Sequence, residues 1–299
     1  MEGCFLRDKI DDNLYIRFRN MNGIVELQYM AKRNNVCPIK VLDGNCYLVK
    51  STGEVRFFDK TGTNRSHSYK SLYRTFKKLR YLINNNFFGD KNELFVTLTY
   101  GGNDRPLISN GSKKFYTDFK IYIRSLRRVY GDIEFINVVE PHEDGHLHAH
   151  VLLKFMGQKS VFIDNDTEME CKFWKHGWTS TRSLVGVTNI GAYLSAYLSD
   201  LEVSDLAVND CLERGERIRI KEIEGKRYIK GGRLKYYPKN FRIYRRSKGI
   251  LEPTFVEGVS GDIKKKIGIL GREPDFSKRY DVVNSDFNNI IIYEHFNLR

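Results

Sequence analysis

Four of the seven histidines in this chain, His142, His146, His148 and His150, fall within nine residues. On a strand, successive side chains alternate faces, so His146, His148 and His150 point one way while Leu147, Ala149, Val151 and Leu153 point the other. Such a strand buries an aliphatic face and presents imidazoles on the opposite one. Imidazoles two residues apart are separated by about 7 Å at the backbone and can converge on one cation. Glu140 ends the preceding strand-like run IEFINVVE and would lie across a hairpin from them, where it can supply a third, oxygen ligand. Two nitrogens and one carboxylate, with positions left open, bind a divalent ion and still admit a phosphate. A structural zinc site would want four closed ligands, and His142 could supply one, so the sequence leaves that version open.

Tyr193 and Tyr197 form a second pair with chemical potential. At i and i+4 they share one face of the helix expected over NIGAYLSAYLSDL. A tyrosine hydroxyl titrates at about pH 10, so it is a weak nucleophile until a metal or a local charge favours phenolate. In a chain with 18 tyrosines such a pair is more often packing. Its interest comes from standing downstream of the histidine strand.

The surrounding elements are readable from periodicity. NCYLVK and EVRFFDK flank Ser51-Thr52-Gly53 as a hairpin. SLYRTFKKLRYLI has Leu72, Phe76, Leu79 and Ile83 at helical spacing. LFVTLTY (Leu94 to Tyr100) reads as a buried strand. Ser112 is a reasonable N-cap for an amphipathic helix carrying Phe115, Phe119, Tyr122, Ile123, Leu126 and Val129 and ending at Gly131. IEFINVVE and HLHAHVLLKF then form a hairpin, followed by a short strand near Trp178 to Leu184 and the tyrosine helix. The order predicts an α+β fold: a central antiparallel sheet with helices on one face, and β-rich N- and C-terminal flanking regions. The expected division is a β-rich N-terminal region (1–67), a core (68–205) and a basic, β-rich C-terminal region (206–299).

The formal net charge of +13 favours a polyanionic partner, because each neutralised phosphate releases condensed counterions. Between Arg214 and Lys248, fourteen Lys/Arg stand against three Glu. Tyr228, Tyr236, Tyr237, Phe241 and Tyr244 are interleaved with them. A groove combining phosphate contacts with base stacking has this composition, and so does a solvated basic hairpin with aromatics packed beneath it. Lys230, Arg233, Lys235, Lys239, Arg242, Arg245 and Arg246 are the candidate nucleic-acid contacts here. There is no run of about 18 apolar residues and no apolar stretch of signal-peptide type near the N-terminus. The five cysteines are scattered without a C-x-x-C pair, which argues against a disulfide framework or a cysteine zinc site. The expectation is a reduced, cytoplasmic protein that does not engage a membrane. No G-x-x-x-x-G-K-[ST] segment occurs, so no P-loop and no nucleotide cofactor are expected.

Together these residues resemble a known superfamily. HLHAHVLL is similar to the His-hydrophobic-His motif of HUH endonucleases, the rolling-circle replication initiators and relaxases. The fuller pattern Glu140-x4-Gly145-x2-His148-x-His150 resembles that of plasmid and phage initiators. FVTLTY resembles their first motif, and WKHGWTSTRS followed by GAYLSAYLSD resembles their tyrosine segment in its two-tyrosine form. The similarity covers about residues 68–205. It implies that His148, His150 and Glu140 hold Mg²⁺ or Mn²⁺. It further implies that Tyr193 or Tyr197 attacks a phosphodiester of single-stranded or hairpin origin DNA, leaving a 5′-phosphotyrosine and a free 3′-OH for a host polymerase. A host helicase would unwind the duplex. His146 is extra to the motif and is assigned to support behind the ligands or to substrate contact. The family usually carries Lys three residues after the tyrosine, where this chain has Ala196 and Asp200. That charge must come from elsewhere, with Arg182 and the basic tail as candidates. The rival readings are a relaxase or HUH transposase with the same chemistry, and a non-catalytic, metal-stabilised nucleic-acid-binding protein.

Overall fold

The computed structural model describes residues 9–33, 37–58, 69–102, 105–142, 144–165, 172–187, 189–191, 201–203, 220–223, 226–229, 236–284 and 287–299. The chain divides into two compact units, one made of residues 1–62 with 253–299 and the other of residues 63–252.

In chain order, the N-terminal segment carries β1 (Tyr15–Met21), β2 (Ile24–Met30), β3 (Ile39–Leu42), β4 (Cys46–Val49) and β5 (Val55–Phe57). The 63–252 unit follows with α1 (Tyr69–Asn86), β6 (Glu93–Tyr100), α2 (Ser112–Tyr130), β7 (Ile133–Pro141), β8 (Leu147–Phe155), β9 (Gly177–Ser183), β10 (Leu201–Val203), β11 (Ile220–Ile223), β12 (Lys226–Ile229) and β13 (Tyr244–Arg246). The first unit then resumes with β14 (Val256–Val259), α3 (Ser260–Lys266), β15 (Phe276–Asn284) and β16 (Phe287–Asn297). The α+β class read from the sequence is present, with antiparallel sheets throughout. No helix among the described residues is long and apolar enough to cross a membrane.

The first unit holds a five-stranded sheet in the order β14-β1-β2-β16-β15, together with the small β3-β4-β5 sheet. Ile16, Val25, Leu27, Ile263, Ile269, Ile292 and Phe296 make its core.

The 63–252 unit is built on the sheet β13-β7-β8-β6-β9, beside a three-stranded β10-β12-β11 sheet. The hairpin of β7 and β8 pairs Glu140 with His148 and Val138 with His150. β6 lies on the other side of β8, so that Thr97 is opposite His150 and Thr99 opposite His148. Strand alternation sends Val96, Leu98, Ala149, Val151 and Val139 to one face, all fully or almost fully buried. There α2 covers them with Phe115, Phe119, Tyr122, Ile123 and Leu126. The other face carries the histidines, and at the far end of that face Lys154 donates to the carbonyl of Asn86 in the last turn of α1. Leu79, Leu82 and Ile83 of α1 are fully buried in the same core. Helix α2 starts where its sequence suggests, but Ser112 is already helical. The cap is Gly111, and no side chain caps the first turn. A residue larger than glycine at position 111 would meet Cβ of Pro106 at 2.3 Å, so close packing decides the cap instead of side-chain chemistry.

Candidate metal centre

Strand register brings Glu140, His148 and His150 to one point on the sheet face. Nε2 of His150 lies 2.6 Å from Oε2 of Glu140, and Nε2 of His148 lies 3.2 Å from the same oxygen. The two Nε2 atoms are 3.3 Å apart. One ligand atom from each residue can therefore be chosen with all three within 4.8 Å of one another, a group that could hold a metal ion. Around a cation with ligand bonds of about 2.1 Å in octahedral geometry, neighbouring donors lie about 3 Å apart. The observed separations bracket that value, so the donors are spaced as three adjacent corners and leave the rest of the coordination sphere to water or substrate. The donor set of two imidazoles and one carboxylate thus fits a divalent ion.

Burial shapes the electrostatics. Glu140 is 2% exposed and His148 6% exposed. Burial alone raises the Glu140 pKa, yet the hydrogen bonds and charges of His148 and His150 outweigh it and hold the carboxyl far below its usual range. The charged form is the one a cation requires.

The His150 ring is held from two further sides. Thr97 Oγ1 lies 3.1 Å from its Nδ1, and Phe95 stacks on it with ring centroids 5.3 Å apart. When Nε2 serves a cation, Nδ1 carries the proton and donates to the threonine hydroxyl, which fixes tautomer and orientation together. The His142 ring packs against His148 at 4.0 Å between centroids, although His142 is exposed. Neither Thr97 nor Phe95 was singled out by motif reading. Their positions within FVTLTY at alternate residues were the available signal.

The remaining predicted residues fall into three groups. His146 lies outside the triad, its ring Nδ1 2.9 Å from Asp144. Burial works against the Asp144 charge, but the backbone N–H and ring of His146 hold its pKa below the ordinary value. Arg182 is exposed on β9, opposite Phe95, and by alternation on the histidine face. Trp178 stands on the same strand and face, opposite Thr99 and 39% exposed. Lys239, Arg242 and Arg245 are exposed on the segment around the edge strand β13, and Arg246 is half-buried. The aromatics described there are packing groups: Tyr237 is fully buried and donates its hydroxyl to the Val139 carbonyl, while Phe241 and Tyr244 lie against the core. Tyr193, Tyr197, Lys230, Arg233 and Lys235 lie outside the described residues, as does Ala196. The chain just before the tyrosines is seated on α1. Ile190 is fully buried, and the Gly191 amide donates to Asn84 Oδ1 at 3.0 Å.

Residues 93–202 match the family model for replication-associated protein ORF2. The match begins at the first residue of β6, contains the triad and extends through the tyrosine segment. Over this stretch the chain is similar to replication-associated proteins. No curated protein and no solved structure matches the chain.

Proposed function

We propose that this chain is a rolling-circle replication initiator, a metal-dependent endonuclease of the two-tyrosine HUH kind that nicks single-stranded origin DNA. The observation that carries the reading is the convergence of Glu140, His148 and His150 on one point, inside a segment similar to replication-associated proteins. The donor set suits Mg²⁺ or Mn²⁺, and a divalent ion there supplies charge stabilisation to the scissile phosphate. Glu140 and His148 hold their charge or lone pair toward that point from a buried position, and Thr97 orients His150. Tyr193 or Tyr197 is the nucleophile. Its phenolate oxygen forms a bond to phosphorus, the bond to the 3′ oxygen breaks, and that oxygen leaves with a proton as a free 3′-OH. The protein then carries a 5′-phosphotyrosine, and the second tyrosine repeats the attack for strand transfer. Arg182, on the same sheet face, supplies positive charge to the DNA backbone in place of the lysine absent at Ala196. Trp178 offers a ring on which an unpaired base can stack.

The test is incubation of the full chain with single-stranded origin DNA and Mg²⁺ or Mn²⁺, followed by a denaturing gel. A covalent protein–DNA band is expected, lost when both tyrosines are changed to Phe and lost in His148→Ala/His150→Ala. A nick that persists in the double tyrosine variant would remove the tyrosine mechanism. DNA binding with no nick under any condition would favour the non-catalytic reading.

A further inference from the structure

Helix α2 covers the sheet face opposite the histidines, and its outer side has an unusual charge pattern. Its nineteen residues contain six Lys or Arg and a single acid, Asp118, which is buried and bonded to the Tyr100 hydroxyl at 2.7 Å. At 100° per residue, Lys113, Lys120, Arg124 and Arg127 fall within a sector of about 60° and span about 21 Å along the axis. They line one wall of a cleft of about 890 Å³ whose other wall includes Phe135 and Arg245, and no carboxylate belongs to its lining. Lys113, Lys120 and Arg124 are exposed, and none has an acidic partner among the described residues. Like charges at i and i+4, as in Lys120 and Arg124, disfavour an isolated helix. A solvated helix face that served only solubility would carry acids among the bases at these spacings.

The cleft also lacks open rings. Phe119 is 5% exposed, Phe135 packs against the core, and the Arg245 guanidinium sits 3.4 Å above the centre of the Tyr116 ring. Grooves for unpaired strands pair cations with rings on which bases stack. Here only the cations are presented, which is the composition of a surface that touches phosphates of a paired strand and reads no base. The contrast with the histidine face, where Trp178 is exposed, assigns the two faces to different forms of the same polymer.

We propose that the outer face of α2 is a docking surface for duplex DNA, separate from the metal centre, which grips the backbone without regard to sequence. The choice of DNA among polyanions rests on the function proposed above, and the charge row stands without it. An initiator with this surface would hold paired DNA on one side of the sheet while the unpaired strand lies on the other.

The test compares the full chain with Lys113→Gln/Lys120→Gln/Arg124→Gln, which changes only exposed side chains. Fluorescence anisotropy measures binding to two 30-base-pair duplexes of unrelated sequence, to a single strand and to anionic vesicles, across a salt series. A nicking assay on single-stranded origin DNA runs beside it. The expected result is weaker duplex binding for both sequences, with the slope of log affinity against log salt shallower by about 2.7, three contacts at about 0.9 each. Single-strand binding and nicking are expected to stay within twofold. Lys120→Arg/Arg124→Lys, which keeps the charges, should retain duplex binding, and so should His148→Ala/His150→Ala. The proposal is overturned if the wild-type chain does not bind duplex, if the triple variant binds it as before, or if duplex and single-strand binding fall together. An effect on vesicles with none on duplex overturns it as well. Failure of the wild-type chain to nick single strand would count against the proposed function and leave this surface standing on its duplex result.

Discussion

The hydroxyl of Thr97 and the ring of Phe95 hold His150 from two sides, and the consequence can be measured without DNA. Thr97→Val keeps the shape of the side chain but removes the partner of Nδ1, and such outer partners are typically worth 10- to 100-fold in metal affinity. Titration calorimetry with Mn²⁺ should show a Kd raised by roughly tenfold or more; an unchanged Kd would take Thr97 out of the site. His148→Ala should abolish saturable binding altogether, because it removes one of only three protein ligands. Glu140 gives a pH prediction. Its pKa is depressed in the folded chain, so its stabilising effect is complete above the unfolded value of about 4.5 and is lost as pH falls toward the folded value. Acid unfolding of the metal-free protein should therefore be steeper than that of Glu140→Gln, by circular dichroism below about pH 4.5. At this scale the triad was legible because alternation is a local rule: residues two apart share a face whatever the rest of the chain does. Thr97 was not, because its role depends on β6 pairing with β8 some fifty residues away, and nothing in FVTLTY specifies that partner.

Elements with strong periodicity were readable and those defined by pairing were not. The helices α1 and α2, the strand β6 and the β7-β8 hairpin follow from apolar spacing over long runs. β13 has only three residues and becomes a strand by bonding to the edge of β7, which no local pattern announces. The charge row of α2 was in plain view as residues, but reading that helix for its apolar stripe leaves the opposite stripe unexamined. The element that brings the tyrosines to the site starts on α1, and this too gives a prediction. A Cβ added to Gly191 would sit 2.6 Å from Asn84 Oδ1 and 2.8 Å from the Arg80 carbonyl, distances that force the two segments apart. Gly191→Ala should leave the Mn²⁺ Kd within about twofold, because the triad lies on β7 and β8. It should lower the nicking rate by tenfold or more, since reacting groups displaced by about 1 Å lose on that order. Equal loss of metal binding and nicking would show that the alanine disturbs the sheet as a whole.

At the scale of the molecule, the first unit is assembled from two distant stretches of chain. β2 pairs with β16 from Met30↔Ile291 to Ile24↔Asn297, and β1 pairs with β14, while residues 63–252 form the other unit. The flanking strands were recognised individually from the sequence, but their joining is a contact between residues more than 250 positions apart, and its closure cost is not written in any local pattern. Phe296 is 1% exposed in the core of this sheet, so Phe296→Ala should cost about 3–5 kcal/mol. In calorimetry that loss should appear in one unfolding transition and leave Mn²⁺ affinity intact. Translation gives the same topology another meaning. The β1-β2 hairpin emerges from the ribosome early and must wait, through the synthesis of the entire intervening unit, for both of its neighbours. A lone two-stranded ribbon is marginal in water, and both of its edges offer unpaired backbone to any other strand in the cell. The quantity most exposed to a pause or a premature stop is thus the yield of folded chains, with chaperones guarding a ribbon whose partners have not yet been made.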